Sequence, residues 1–254
     1  MFPLHCCHDY RSLIRRWKST ARRIGLKVRV FSEIDGYPLF IVESPRIDLN
    51  QKGIYLSAGI HGDEAASTEG LIAWVENHSE MLQETHFTLL PCLNPWGLIH
   101  NCRFDSKGHD LNRSFHHNRV HGIRDLKRLL VGRKFLMAMA LHEDYDAQGV
   151  YLYEIAQRAS YYGLELLEAA RRVIPIDPRY TVDGRRMSRP GYMRRTLKQG
   201  QLLPGPEALF LHLHHSDHTF TVETPSEFSL DVRIKAQQTL VQTAVTIALR
   251  ERKV

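Results

Sequence analysis

A histidine and a glutamate, His61 and Glu64, stand three residues apart at the end of an apolar stretch that runs from Gly53 to Ile60. One imidazole and one carboxylate at this spacing can reach a single metal ion, and Gly62 between them lets the backbone turn sharply. The same residues also fit a plain strand-to-helix turn with Glu64 in the first helical turn. Two ligands do not define a metal site, so the interpretation depends on the rest of the chain.

Two more polar side chains follow apolar stretches. His142 comes after residues 134–141, and Glu223 comes after residues 218–222. The carboxyl ends of strands in an open α/β sheet form one edge, where ligand sites usually lie. Two histidines and one carboxylate are the protein ligands of a catalytic zinc, which keeps a fourth position for water. Glu223 is predicted to be the general base that takes a proton from that water and delivers it to the leaving amine. The predicted ligands of one zinc ion per chain are His61, Glu64 and His142.

The hydrophobic pattern predicts the elements that must carry these residues. Asp35 and Gly36 are typical of a hairpin turn, Gly25 of a helix C-terminus, and Ser229 of a helix N-cap. The segments 94–115 and 175–206 lack a sustained apolar period and are predicted to be loops. Long loops in a compact domain are usually functional. The predicted strands cover residues 26–34, 37–43, 53–60, 87–92, 134–141 and 218–222. The predicted helices cover residues 10–24, 64–78, 123–131, 160–174 and 230–252.

Length and composition indicate a soluble globular protein. The 254 residues are 43% hydrophobic and 24% charged, which suits one domain over residues 1–254. The net charge of +6 comes from scattered Lys and Arg without a nucleic-acid motif, so we expect no nucleic-acid partner. The start of the chain does not resemble a signal peptide, and no apolar run reaches a membrane span. The four cysteines form no CxxC pair, which favours reduced thiols in a cytoplasmic protein without a membrane partner.

Further motifs stand in a characteristic order along the chain. They are His-Gly-Asp-Glu at 61–64, Asn-Pro-Trp-Gly at 94–97, Arg103, Gly-His-Asp-Leu-Asn-Arg-Ser-Phe at 108–115, His142, and Thr-Val-Glu at 221–223. Their types and order, over about residues 53–225, resemble the zinc metallocarboxypeptidase superfamily, which includes the succinylglutamate desuccinylase and aspartoacylase branch. The resemblance implies an α/β/α sandwich with a mixed, mostly parallel sheet of about eight strands, one zinc ion, and hydrolysis of an amide bond beside a free carboxylate.

The resemblance also implies roles for residues that bind the substrate. Asn112 and Arg113 would hold its terminal carboxylate, because a guanidinium can bind a carboxylate with two parallel hydrogen bonds. Arg103 would stabilise the developing oxyanion, where a preorganised positive group lowers the barrier by on the order of 3 kcal/mol. Tyr192 is a candidate for the tyrosine that closes over the substrate. Asp63 replaces the arginine of the digestive members, so the chain most resembles the short bacterial peptidase or amidase members.

The predicted function is therefore zinc-dependent cleavage of a small peptide-like substrate with a free carboxylate. Two alternatives use the same metal ligands: an N-acyl-amino-acid deacylase of the aspartoacylase or succinylglutamate desuccinylase type, and an amidase of murein peptides. An alternative of another class is a basic binding protein that kept the fold without catalysis. The complete ligand set argues against that alternative. The sequence does not determine the oligomeric state.

Three groups of residues have two interpretations each. The histidines between 212 and 218, two of them predicted on one face of a strand, could bind a second metal or form an exposed polar stretch; the second interpretation is preferred because Asp217 is the only acid beside them. Five arginines of the 175–206 loop could line the pocket and select acidic or multiply carboxylated substrates or could be solvated, and solvation is preferred. Glu143 and Asp144 could orient an imidazole or could be solvated, and solvation is preferred. The arginines are Arg185, Arg186, Arg189, Arg194 and Arg195.

Overall fold

Strands of one mixed sheet organise the fold in the computed structural model, which describes residues 7–45, 51–156, 160–195 and 205–252. In chain order the strands are β1 (Lys27–Ile34), β2 (Tyr37–Glu43), β3 (Gly53–Ser57), β4 (Phe87–Leu90), β5 (Phe135–Asp144), β6 (Tyr151–Ala156), β7 (Thr181–Val182), β8 (Arg185–Arg186), β9 (Tyr192–Arg195) and β10 (His218–Pro225). Eight of them form the main sheet in the order β1-β2-β4-β3-β5-β10-β6-β9, and β7 and β8 form a separate hairpin.

Parallel pairing dominates the middle of the sheet. β4, β3, β5 and β10 run parallel to one another, and β9 runs parallel to β6. The antiparallel pairs are β1 with β2, β2 with β4, and β10 with β6. The parallel strands place their carboxyl ends along one edge, which is where a ligand site is expected.

Helices cover both faces of this sheet. They are α1 (Tyr10–Ile24), α2 (Ala65–Asn77), α3 (Ser79–Glu84), α4 (Pro95–His100), α5 (His121–Leu129), α6 (Gly163–Ala170), α7 (Glu207–His214) and α8 (Leu230–Glu251). One apolar cluster joins the sheet to α1, α2, α6 and α8, and another joins it to α5 and α7. The result is the predicted three-layer α/β/α sandwich with a mixed sheet of eight strands.

Several turns follow the sequence pattern closely. The Asp9 side chain accepts a hydrogen bond from the backbone N–H of Ser12 and so begins α1, and Gly25 ends it in the left-handed region at φ 76°. Asp35 and Gly36 also have positive φ, of 52° and 78°, as the predicted hairpin turn between β1 and β2 requires. The predicted cap Ser229 precedes α8 but makes no side-chain capping hydrogen bond.

The two predicted loops contain regular structure that hydrophobic periodicity did not reveal. Residues 94–115 contain α4 and a single 3₁₀ turn, Leu111–Arg113. The described part of 175–206 contains the short strands β7, β8 and β9. Residues 196–204 of that predicted loop lie outside the described residues. The strand β6 was also not predicted. Short strands and helices of this kind carry too few residues for a period to emerge.

The helices and cysteines bear on whether the protein spans a membrane or contains disulfides. In the described parts of the chain no helix is long and apolar enough to cross a membrane. Cys92 and Cys102 form no disulfide with any residue that the structure describes, and Cys6 lies outside the described residues. The organisation of residues 1–254 as one domain stays a prediction.

Candidate metal centre and substrate cleft

Neighbouring strands bring the three predicted metal ligands together. His61 and Glu64 lie between the end of β3 and the start of α2, with Glu64 at the N-cap position. His142 lies near the end of β5, which pairs with β3 in parallel. All three side chains are buried. Because β3 and β5 are adjacent, residues 81 positions apart in the chain reach one point at the edge of the sheet.

The geometry and chemistry of this cluster fit one metal ion. The candidate ligand atoms of His61, Glu64 and His142 lie within 4.8 Å of one another. The Nδ1 atoms of His61 and His142 lie 2.5 Å and 2.8 Å from the two oxygens of the Glu64 carboxylate. Both histidines thus direct the same ring nitrogen to one point. Two imidazole nitrogens and one carboxylate oxygen are a donor set that suits zinc and leaves room for a water or a substrate oxygen.

Electrostatics also favour a cation at this point. Burial disfavours the charge on Glu64, yet the two imidazoles hold its pKa at about 2. Burial opposes protonation of His61, but the Glu64 carboxylate and Asp110 raise its pKa to about 9. The pKa of His142 is raised as well, mainly by Glu64 against the effect of burial. The cluster therefore accumulates positive charge, which is what a bound metal ion would supply.

Gly62 is required for a reason that differs from the predicted one. Its φ does not lie in the left-handed region, so the turn itself does not need a glycine. A Cβ at Gly62 would lie 1.8 Å from the carbonyl carbon of Gly97 in α4. The N–H of Gly62 also donates to the carbonyl oxygen of Cys102 at 3.1 Å. Close contact between the ligand segment and α4 therefore explains this glycine.

Asp110 is a site residue that the sequence reasoning did not assign. Its Oδ1 lies 3.3 Å from Nε2 of His61, and its Oδ2 accepts hydrogen bonds from Nε and Nη2 of Arg103 at 3.2 Å and 3.0 Å. A carboxylate on the outer nitrogen of a metal-binding imidazole orients the ring and sets its tautomer. In the sequence, its position between the predicted residues Arg103 and Asn112 was the one sign that Asp110 belongs to the site.

Arg103 lies beside the metal cluster, as an oxyanion-stabilising group must. Its Nη1 is 3.2 Å from Nδ1 of His61 and 3.9 Å from Oε1 of Glu64. Its side chain is 37% exposed, so one side of the guanidinium faces the cleft while Asp110 holds the other.

Asn112 and Arg113 lie on the 3₁₀ turn and line the same cleft. The Oδ1 atom of Asn112 accepts a hydrogen bond from the backbone N–H of Glu207 at 2.9 Å, which fixes the amide and joins it to the start of α7. Arg113 is exposed and forms no ion pair with any residue that the structure describes. Its guanidinium is thus free to bind an anion.

Glu207 is a second residue that the sequence reasoning did not single out. It is buried behind the site, and Tyr55 donates a hydrogen bond of 2.5 Å to its Oε1, while its Oε2 has no partner among the described residues. Burial raises the pKa of this carboxyl against the opposing effect of Tyr55. No motif surrounds Glu207, so nothing in the sequence pointed to it.

Glu223 lies beside the metal cluster on β10. Its register partner on β5 is His142, and its side chain lines the cleft. Among the described residues none donates a hydrogen bond to its carboxylate, which leaves both oxygens available. Burial raises the pKa of Glu223 well above its usual range; the nearby carboxylates of Glu64 and Asp144 add to this, and His142 opposes it. A carboxylate in such a place can hold and release a proton.

Glu143 is buried, so the preferred interpretation of a solvated side chain was wrong. Its Oε1 accepts a hydrogen bond of 2.6 Å from Nη1 of Arg233, and its Oε2 accepts one of 2.8 Å from the N–H of Ala66. It does not contact an imidazole. Through Ala66 it holds the first turn of α2, which carries Glu64. Asp144 is half-buried and pairs with Arg179 at 3.0 Å.

The histidines between 212 and 218 do not form a second metal site. His212 and His214 lie on α7, a helix, rather than on one face of a strand. His212 and His215 are buried rather than exposed, and His218 contacts Glu154 at 2.5 Å. Among the described residues, the only group of metal-binding side chains that converges is the one at His61.

Tyr192 does not face the cleft. Its hydroxyl donates a hydrogen bond of 2.7 Å to the buried Glu154 on the neighbouring strand β6. The tyrosines that line the cleft are Tyr145, Tyr151 and Tyr153. Tyr192 is therefore a structural residue, and its proposed role as the closing tyrosine was wrong.

The cleft that contains these residues has a volume of about 1290 Å³. His61, Glu64, Arg103, Arg113 and Glu223 all line it. Of the five arginines considered in the sequence analysis, Arg185 and Arg195 line the cleft, and Arg186, Arg189 and Arg194 do not.

Comparisons with known proteins agree with this geometry. Residues 50–145, less than half of the chain, match the model of the succinylglutamate desuccinylase/aspartoacylase catalytic domain. A search of curated protein sequences gives no significant match.

Solved structures share the fold over nearly the whole chain. A candidate metallopeptidase of Shewanella amazonensis superposes with a TM-score of 0.85 at 23% identity and covers 95% of this chain and 94% of its own. A metallo-carboxypeptidase of Burkholderia cenocepacia has a TM-score of 0.70 at 13% identity, over 95% of this chain and 69% of its own. A metallo-carboxypeptidase of Pseudomonas aeruginosa has a TM-score of 0.66 at 16% identity, over 94% and 68%. At these identities the likeness shows the fold. The matched catalytic-domain segment and the shared fold together make this chain similar to the zinc carboxypeptidase-like superfamily.

Proposed function

We propose that this protein is a zinc-dependent hydrolase of the carboxypeptidase type, which cleaves an amide bond next to a free carboxylate in a small peptide-like substrate. The observation that carries the proposal is the convergence of His61, Glu64 and His142 at one point, with Glu223 beside them on the neighbouring strand. A metal ion with three protein ligands has a position left for water, an adjacent unpaired carboxylate can take a proton from that water, and the cleft can hold a substrate. Together these features suit hydrolysis. A site with four protein ligands would be closed to chemistry.

Each residue of the cleft has a role in this proposal. Asn112 and Arg113 bind the terminal carboxylate and thereby place the scissile carbonyl over the metal cluster. Glu223 accepts a proton from the attacking water and transfers it to the leaving amine. Arg103, held in place by Asp110, donates to the oxygen on which negative charge develops. When bound by His61, Glu64 and His142, zinc would polarise the carbonyl and acidify the water.

A second candidate has support from the family comparison. The matched segment 50–145 contains both ligands of the 61–64 tetrad, Arg103 and the 108–115 motif, and its model is that of the succinylglutamate desuccinylase/aspartoacylase catalytic domain. An N-acyl-amino-acid deacylase would use the same metal ligands and would bind the carboxylate through the same residues, Asn112 and Arg113. It would differ only in the acyl group on the other side of the scissile amide.

Metal analysis and a substrate panel test the proposal together. Protein purified without chelator is expected to contain about one zinc per chain, and His142→Ala is expected to lose most of it, because one of three ligands is removed. His214→Ala serves as the control, since His214 is an exposed histidine outside the site. Dipeptides, N-acyl amino acids and murein peptides are then offered, each beside its C-terminal amide.

The outcomes separate the candidates. Hydrolysis of dipeptides or murein peptides supports a peptidase or amidase, and hydrolysis restricted to N-acyl amino acids supports the deacylase. Equal turnover of the C-terminal amides would refute binding through Arg113. Zinc-loaded protein that hydrolyses no member of the panel would refute the hydrolase proposal. Salt-dependent binding of nucleic acid without metal would instead favour a basic binding protein.

A further inference from the structure

A groove between α5 and α7 lies beside the metal cleft and has no role in the proposed mechanism. Both helices cover the same face of the sheet, and the groove has a volume of about 890 Å³. Gly205 and Leu209 line the groove and the cleft alike. A molecule bound in the groove would therefore lie next to the cleft.

Helical spacing gives the two walls of the groove different chemistry. The α5 wall is basic, because residues three and four apart share one face of a helix. The α7 wall is apolar, and Leu213 on this wall keeps 42% of its surface exposed. Val131, which lines the groove just past the end of α5, is 75% exposed. The basic residues are Arg124, Lys127 and Arg128, and the apolar ones are Leu209, Phe210 and Leu213.

Lys127 carries a charge that no carboxylate of the described residues balances. Its ammonium donates hydrogen bonds of 3.0 Å and 3.2 Å to two backbone carbonyl oxygens and one of 2.8 Å to the amide oxygen of Asn118. These three acceptors are uncharged. Burial lowers the pKa of Lys127, since it disfavours the charged form.

Arg124 and Arg128 share a single carboxylate, that of Asp125. The distances to its Oδ1 are 3.3 Å and 3.5 Å, and Ser32 donates a hydrogen bond of 2.7 Å to its other oxygen. Among the described residues, no Asp or Glu lines the groove itself. The basic wall thus has three cations against one carboxylate that other donors already use, and a bound carboxylate would find partners there.

We infer that the groove between α5 and α7 binds an acidic, amphipathic segment of a protein partner. The carboxylates of this segment pair with α5, and its apolar side chains cover the exposed parts of Leu213 and Val131 on the other side. An amphipathic helix that lies in a groove between two helices is a common way of binding a partner. Complementary charge along one wall sets its orientation. This inference does not depend on the proposed hydrolytic function.

Other occupants suit the groove less well. A second copy of this chain carries a net charge of +6, so repulsion opposes its approach to a basic groove. Residues 196–204 of the chain itself, which precede Gly205, contain one Lys and no acid and so do not supply the missing negative charge. Nucleic acid would pair its phosphates with α5, but its bases stack on aromatic rings, whereas the α7 wall is largely aliphatic.

A synthetic peptide serves as the probe. It is about 16 residues long, carries a fluorescent label, and has Glu and Leu on neighbouring faces of a helix. By fluorescence anisotropy the whole protein should bind it with a Kd in the micromolar range, roughly 8 kcal/mol of binding free energy, and more weakly as salt is added. A scrambled peptide of the same composition, and a peptide with Lys in place of Glu, should bind at least about tenfold more weakly.

Variants of each wall have matched controls elsewhere on the surface. Arg124→Gln together with Arg128→Gln should weaken binding about 3- to 30-fold, as loss of two exposed ion pairs predicts. Arg22→Gln together with Arg23→Gln removes the same charge from α1, outside the groove, and should change binding by less than about twofold.

The apolar wall is tested in the same way. Leu213→Ser should weaken binding about 3- to 10-fold, because less apolar surface is buried against the peptide. Its control is Leu164→Ser on α6, a leucine that is 43% exposed and does not line the groove, where binding should stay unchanged.

Four results would overturn the inference. One is that the acidic peptide does not bind, or binds the groove variants and the wild type equally. Another is that an oligothymidylate of similar length binds more tightly and loses affinity in the same variants, which would assign the groove to nucleic acid. A third is a dimer in light scattering that these variants convert to a monomer, since a second copy would then fill the groove. The last is binding that appears only after residues 196–204 are replaced by a Gly-Ser linker, because the chain itself would then be the occupant.

Discussion

The buried carboxylate of Glu154 offers the most direct test of how the strands behind the cleft are held. It accepts four hydrogen bonds: from the backbone N–H groups of Tyr162 and Gly163 at 2.7 Å and 2.8 Å, from the hydroxyl of Tyr192 at 2.7 Å, and from His218 at 2.5 Å. The first two begin α6, and the others join β9 and β10 to β6. Replacement of Glu154 by Gln keeps the shape but removes the charge and one acceptor oxygen.

The expected cost follows from those four bonds. The amide group of the variant must turn its NH₂ toward one of the two backbone N–H groups, so that donor loses its partner inside the protein. Loss of a buried charge-assisted bond costs about 1.5–3 kcal/mol, and an unsatisfied donor costs about 1–3 kcal/mol. We therefore expect Glu154→Gln to lower the free energy of unfolding by roughly 3–5 kcal/mol. For a chain of this length the fall in Tm is roughly 10 °C.

Urea unfolding and calorimetry of the metal-free proteins measure this effect without a contribution from zinc. Glu165→Gln is the control, because Glu165 is a surface residue whose ion pair with Arg250 spans 3.4 Å; a change within about 0.5 kcal/mol is expected there. A Glu154→Gln variant as stable as the wild type would refute the argument, since it would mean that the four donors find other partners.

The pH dependence of the free energy of unfolding, measured for the wild type and for Glu154→Gln, supplies an independent check. Burial would raise the pKa of Glu154, but the hydrogen bonds from His218, Tyr162 and Tyr192 lower it below the usual value. A carboxyl whose pKa is lower in the folded state stabilises the protein above its unfolded pKa of about 4.3, and this contribution is lost as the pH falls through the folded pKa. The difference between wild type and Glu154→Gln should therefore shrink below about pH 4.

Three further predictions concern the site. Glu223→Gln should keep its zinc, measured by elemental analysis, and lose about 10²- to 10⁴-fold in kcat, because the general base is removed; full activity would exclude that role. Arg113→Ala should raise KM by about 10- to 100-fold for substrates with a free carboxylate and leave kcat nearly unchanged. An equal effect on amidated substrates would contradict binding of the terminal carboxylate by Arg113. Burial raises the pKa of Glu207, so its contribution to stability is present below about pH 4.3 and is lost as the pH rises toward the folded pKa. Glu207→Gln should therefore gain stability relative to the wild type from about pH 4.5 upward in urea unfolding curves, and a difference independent of pH would refute this.

Sequence patterns were sufficient to predict that His61, Glu64, His142 and Glu223 meet at one place. His61 and Glu64 are close in the chain, and the apolar stretches before them and before His142 and Glu223 predict strands whose ends share one edge. That edge is a general property of parallel sheets, so the meeting of these four residues could be predicted without knowing the strand order. The structure confirms the meeting, while their roles stay proposals.

Residues whose environment is set by distant segments could not be assigned in this way. Glu143 follows His142 directly and was expected to be solvated, yet Arg233 of α8 and the first turn of α2 enclose it. Tyr192 was a candidate for the cleft, but parallel pairing of β9 with β6 turns it to Glu154. In both cases the deciding partner lies far away in the chain, and short-range patterns carry no information about it.

The sequence by itself determined which atoms can bind a metal and which stretches bring them to the edge of a sheet, because ligand types and hydrophobic periodicity are local properties of the chain. The tertiary structure alone decided which arginines face the cleft. Arg194 and Arg195 are neighbours of the same type, but alternate residues of a strand point to opposite faces, and the position of β9 beside β6 directs Arg195 to the cleft and Arg194 to Tyr161. Which of the two arginines lines the cleft therefore depends on strand order and register, which residue types do not specify.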